Sequence, residues 1–231
     1  MVLYHDSGLP ASIAPYFRRV RVVHIRQWYS VGSFTYQKDF CDASLLVDLK
    51  RATQLDLSNT TISDISPLAG LPRLTYLGLE NTRVTDVSRL STLHDLKQLN
   101  LARTSVTDIS PLAALHELEE LDLRCSQVRD VSPLAALENL KRLNLAATPV
   151  DDLWPLVGLP RLEQLDVGFA RLADEEVQRL REALPDCTIA PDPKDWMRPA
   201  QRGGACLGGV GNQPREKHEI QKDRNPERGG W

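Results

Sequence analysis

The 231-residue chain lacks the excess of basic charge that a nucleic-acid binder needs. Its 28 lysines and arginines face 31 aspartates and glutamates, a formal charge of -3. The two signs are interspersed along the chain, with no basic stripe for a phosphate backbone to follow. Long apolar runs are missing too: none approaches the roughly 18 residues of a membrane-spanning helix. Met1 to Pro15 has neither the basic start nor the continuous apolar stretch of a signal peptide, so none is expected. Cysteine is limited to Cys41, Cys125, Cys187 and Cys206, far apart, without a CxxC pair or zinc spacing. Free thiols and a cytoplasmic location are the expectation. There is no P-loop, no GxSxG and no HExxH, so neither an enzyme nor a cofactor is expected.

What the chain does have is a period of 22 residues. Leu55, Leu77, Leu99, Leu121, Leu143 and Leu165 share one column. Leu57, Leu79, Leu101, Leu123, Leu145 and Val167 lie two residues further on, and Ile62, Val84, Val106, Val128, Val150 and Leu172 seven further on. Three before the first column come Ala52, Leu74, Leu96, Leu118, Leu140 and Leu162. Polar columns keep the same register: Asp64 to Asp174 in six copies, and Thr60, Thr82, Thr104, Ser126 and Thr148.

Each unit reads LxxLxLxxTxVxD(I/V)SPLxxL. The LxL core alternates as a short strand does. Ser66-Pro67, Ser110-Pro111 and Ser132-Pro133 signal a helix start, with serine as N-cap and proline first in the helix. Room remains for about one turn before the next strand, which suits a 3₁₀ turn. A single unit buries too little to offset the ordering of its backbone, so coils must stack. The threonine hydroxyls are expected to satisfy backbone groups at the turn and to bridge successive coils. The aspartates are expected to accept from the turn that follows them.

The stretches LTYLGLENTRVTDV, LKQLNLARTSVTDISPLAAL and LEELDLRCSQVRDVSPLAAL resemble the leucine-rich-repeat family, specifically the short 22-residue class of internalin-like bacterial proteins. The resemblance is strong from about Ala52 to Leu172. Threonine or serine stands where that family most often has asparagine. It implies an α/β fold: a right-handed leucine-rich-repeat solenoid, or horseshoe, with a parallel concave sheet and short 3₁₀ or helical turns on the convex side.

Residues 1–51 read as an N-terminal cap. Phe40, Asp42, Leu46 and Leu49 lie one period before Ile62, Asp64, Leu68 and Leu71. Val20, Val23 and Ile25 match the strand columns if about ten residues are inserted. That insert, about 27–39, holds Trp28, Tyr29, Phe34 and Tyr36. It reads either as a cover for the end of the core or as a protruding recognition loop. Residues 52–172 are the core repeats, 173–190 a capping helix and last strand, and 191–231 a disordered tail rich in glycine, proline and charge.

His94 and His116 share a loop column and read as solvated residues. Cys125 has no histidine partner that would make it a nucleophile, and no metal site is expected. The outward strand positions form the candidate partner-binding face: Tyr76, Glu80, Gln98, Asn100, Arg103, Glu120, Asp122, Arg124, Arg142 and Asn144. Tyr76, Arg103, Arg124 and Arg142 belong to types favoured as interface anchors. Gly78, Ala102, Ala146 and Gly168 read as room for a partner's side chains. The expected function is a non-catalytic protein-interaction scaffold that binds another protein, and neither nucleic acid nor membrane, as a monomer. The alternatives are a regulatory or targeting subunit of a phosphatase or ubiquitin ligase, and a surface adhesin of internalin type.

Overall fold

The computed structural model describes residues 2–3, 22–25, 46, 49–170 and 172–190. The aromatic insert and the tail from 191 onward lie outside the described residues, as does most of the N-terminal cap.

Among the described residues, nine strands make one sheet in chain order: β1 (Val2–Leu3), β2 (Val22–Ile25), β3 (Gln54–Asp56), β4 (Tyr76–Gly78), β5 (Gln98–Asn100), β6 (Glu120–Asp122), β7 (Arg142–Asn144), β8 (Gln164–Asp166) and β9 (Thr188–Ala190). All pair in parallel, and from β3 to β8 the register is one repeat per rung: Leu55 faces Leu77, then Leu99, Leu121, Leu143 and Leu165. Parallel neighbours joined through a crossover coil to the right, which makes the solenoid right-handed. At the N-terminal side Val23 faces Leu55, a step of one period plus ten. Leu3 then faces Ile25, a full period back. That first strand was not expected, although its spacing carried the signal.

The 3₁₀ turns Ser66–Gly70, Ser88–Thr92, Ser110–Ala114, Ser132–Ala136 and Trp154–Gly158 lie opposite the sheet. Their starts correct one expectation. The serine is the first residue of the turn and not its cap, and no side chain caps from the preceding Ile65, Val87, Ile109, Val131 or Leu153. The aspartate two residues earlier does the work. Asp64, Asp86, Asp108, Asp130 and Asp152 each accept the backbone N–H of the turn's first residue at 2.8 Å. The hydroxyls of Ser110 and Ser132, with their N–H groups second, hold the carboxyls of Asp108 and Asp130 below their ordinary pKa, and the N–H and then the hydroxyl of Ser88 do so for Asp86.

Between sheet and turns the leucine columns merge into one core running from Leu46 to Ile189. The threonine column is buried beside it. Thr60, Thr82 and Thr104 donate their hydroxyls to the carbonyls of Leu57, Leu79 and Leu101 at 2.7, 2.8 and 2.6 Å, and Thr148 does so to Leu145. These bonds stay within one coil, so the hydroxyls do not bridge coils as expected. Bridging falls to the backbone, where Asn59, Asn81, Arg103, Cys125 and Ala147 each donate N–H to the next coil. The last full coil continues into helix α1 (Asp174–Ala183), packed on the turn Trp154–Gly158, and then into β9.

The four cysteines are not uniformly free. Cys187 carries a free, half-buried thiol whose pKa burial pushes up, whereas Cys125 is disulfide-bonded.

Candidate functional site

In each strand, side chains alternate between core and solvent, so the leucine that enters the core leaves its two neighbours on the outer face. Stacking in register turns those neighbours into columns. Seven of the ten candidate residues, Tyr76, Gln98, Asn100, Glu120, Asp122, Arg142 and Asn144, line one open groove of about 560 Å³ across the sheet. The groove continues past them along Gln164 and Asp166, the next members of the same outward columns, and along Thr188 and Ala190, none of which was among the candidate residues. Their strands were legible, but nothing marked where the groove would end.

Glu80, Arg103 and Arg124 lie beside this groove as a charge cluster. Arg124 Nη2 reaches Glu80 Oε1 at 3.2 Å across two coils, and Arg103 Nε lies 3.8 Å from the same oxygen. The partner of one anchor residue is thus another candidate residue. Arg124 Nε is buried with no hydrogen-bond partner. Further down, Gln98 donates to Glu120 Oε1 at 2.7 Å, and Arg142 closes on the same oxygen from the other side. At this degree of exposure each pair contributes about 0–1 kcal/mol, so the ladders order the side chains more than they stabilise the fold.

The column between the paired leucines has a task that sequence reading missed. Asp56, Asn100, Asp122, Asn144 and Asp166 each accept the N–H two residues on, at 2.9–3.0 Å, and so turn the chain out of its strand. The short side chain that binds its own backbone was the available signal. Asp122 keeps a further feature: burial raises its pKa, with smaller upward pushes from Glu80 and Asp166, while the Arg124 N–H and guanidinium oppose them.

The small residues do not leave the space expected of them. Gly78, Ala102 and Gly168 are buried. A Cβ on Gly78 would come within 2.6 Å of Asp56 Oδ1 and 2.9 Å of the Tyr76 hydroxyl. Above Ala102 the Arg124 side chain crosses to Glu80. At Gly78 and Ala102 the chain itself fills the space. His94 and His116 are exposed in the loops before β5 and β6.

Comparison with known proteins agrees with this geometry. Residues 53–92 and 94–136 match the family described as "Leucine Rich repeats (2 copies)". Among solved structures, an internalin from Listeria monocytogenes superposes with a TM-score of 0.70 at 24% identity, over 80% of this chain and 51% of its own. A leucine-rich-repeat protein of Leptospira interrogans gives 0.60 at 25% identity, over 63% of this chain and 38% of its own. Internalin C2 of Listeria monocytogenes gives 0.56 at 28%, covering 74% and 80% respectively. This chain therefore spans about half of the first of these structures and less of the second. The curated proteins give no match to it. Repeat by repeat in sequence and rung by rung in structure, residues 53–136 carry leucine-rich repeats, and the stacked coils share the fold of these solved solenoids.

Proposed function

We propose that the chain is a non-catalytic scaffold that holds another protein against the outer face of its sheet, as a monomer. The observation that carries this reading is the groove: an open trough of about 560 Å³ whose walls come from successive strands in register. Such a surface offers a protein segment many weak, ordered polar contacts in a row. The central column also selects by charge. Asp122 and Asp166 lie along the groove, and burial raises the pKa of Asp122. A partner that brings a lysine or arginine to this column relieves that penalty.

The test is capture of a partner, followed by calorimetry with a Gln98→Ala, Glu120→Ala, Arg142→Ala triple variant. Affinity should fall at least about ten-fold, roughly 1.4 kcal/mol, while melting shifts by only a few degrees. Near the pH at which Asp122 titrates, binding should also release protons, because a cation beside it lowers its pKa; the apparent enthalpy there depends on the buffer's ionisation enthalpy. An affinity untouched by the triple variant sinks the choice of face.

A second reading, a secreted or surface adhesin, is favoured by the disulfide at Cys125, since such bonds persist in oxidising compartments. The cytoplasmic placement rests on free thiols, and among the described residues Cys187 carries one. Fractionation of cells with thiol trapping before lysis separates the two.

A further inference from the structure

The last regular coil departs from its predecessors at one position. Ser66, Ser88, Ser110 and Ser132 open the first four turns, and Trp154 opens the fifth. The turn itself does not require tryptophan, since the Trp154 N–H reaches Asp152 as the serines reach their aspartates. Yet its indole is 64% exposed, a large apolar surface where the repeat otherwise places a hydroxyl. Helix α1 takes the place of the next turn, and between the two lies a groove of about 330 Å³. Leu153, Leu172 and Leu180 supply its apolar surface, and Asp152, Glu176 and Arg179 its charged rim. Two carboxylates against one guanidinium suit an apolar segment flanked by bases.

We propose that this groove is occupied by the chain's own segment Pro193–Arg198, with Trp196 and Met197 against Trp154 and the leucines. Lys194 and Arg198 flank that apolar pair and match the acidic rim. The tether is short enough. Arg181 Nη2 donates to the Ile189 carbonyl at 3.2 Å, so the end of β9 lies beside α1. Arg179 and Leu180, which line the groove, are the next residues back along the helix. Trp196 follows Ala190 by six residues, a reach of up to roughly 20 Å, against about 15 Å for the whole ten-residue helix. Burial of two aromatic side chains and a methionine supplies the driving force. The proposal takes these residues out of the stretch that composition alone reads as disordered.

The experiment uses the full chain and measures hydrogen exchange of the α1 amides in Trp154→Ser, Trp196→Ala and the double variant. Each single change should speed exchange several-fold, and the double should add nothing, as expected of two groups that act through one contact. Lys194→Glu with Arg198→Glu should give a weaker form of the same effect. Unchanged exchange in Trp196→Ala overturns the proposal, and so does an additive double variant. Protection that disappears on dilution, together with a dimer mass by light scattering, also overturns it by assigning the groove to a second copy.

Discussion

Four threonines in one buried column return their hydroxyls to the carbonyl three residues back, and Ser126 in the same column does not: its Oγ is buried without a partner. Serine lacks the γ-methyl that restricts χ1 in threonine, so nothing selects the rotamer that makes the bond. Ser126→Thr should restore it and fill the methyl's space, raising stability by about 0.5–1.5 kcal/mol in denaturant titration. A loss of stability would mean that the site is too tight for the methyl. The column itself was legible in the sequence, because burial imposes identity every 22 residues. The direction of its hydrogen bonds was not, since a hydroxyl three residues from one carbonyl is also near the next coil. Arg103 and Arg124 show the same limit. Their exposure followed from the strand period, but their convergence on Glu80 depends on rotamers that no spacing encodes.

At the scale of the element, each turn starts on an aspartate. Asp108 accepts from both the N–H and the hydroxyl of Ser110, and these bonds lower its pKa from 3.8. The folded state therefore binds this proton less readily than the unfolded chain. The stability it confers is whole above pH 3.8 and drains away as pH falls through the lower, folded value. Asp86 and Asp130 behave alike. Asp108→Asn keeps an acceptor and loses the titration, so its melting temperature should fall less steeply with acid than the parent's, while Asp108→Ala should be weaker at neutral pH. Identical acid slopes in parent and Asn variant would remove Asp108 from the cause. The turns were readable from Ser-Pro-Leu, yet the cap was placed one role too late, on the serine, because the aspartate reaches over the residue between them. The left-handed residues after each strand were less readable still. Asn59 and Asn81 are natural there, but Arg103, Cys125 and Ala147 hold positive φ while donating N–H to the next coil, and Phe169 holds it too.

For the whole molecule, the physical content of the fold is that each coil is shielded by its neighbours alone. Leu121 stands between Leu99 and Leu143, 2% exposed, near the middle of the stack. Ile189 lies in the last strand and faces Leu165 across a single described pairing. Truncating a buried leucine to alanine costs about 2–5 kcal/mol. An aspartate at the same place adds a carboxylate that must stay charged in an apolar interior or take up a proton to enter it. In a globular core that cost depends mainly on burial, which is nearly the same at the two positions. In a stack it depends on how many coils lose a neighbour, two for Leu121 and one for Ile189. Leu121→Asp should therefore unfold the centre and uncouple the coils on either side, with amide exchange rising in both directions from β6. Ile189→Asp should fray β9 and α1 and leave β3 to β6 protected. Circular dichroism melts should lose amplitude broadly in the first variant and by a small fraction in the second. Equal damage from both, or an unchanged melt for Leu121→Asp, would mean that the coils do not support one another in a row.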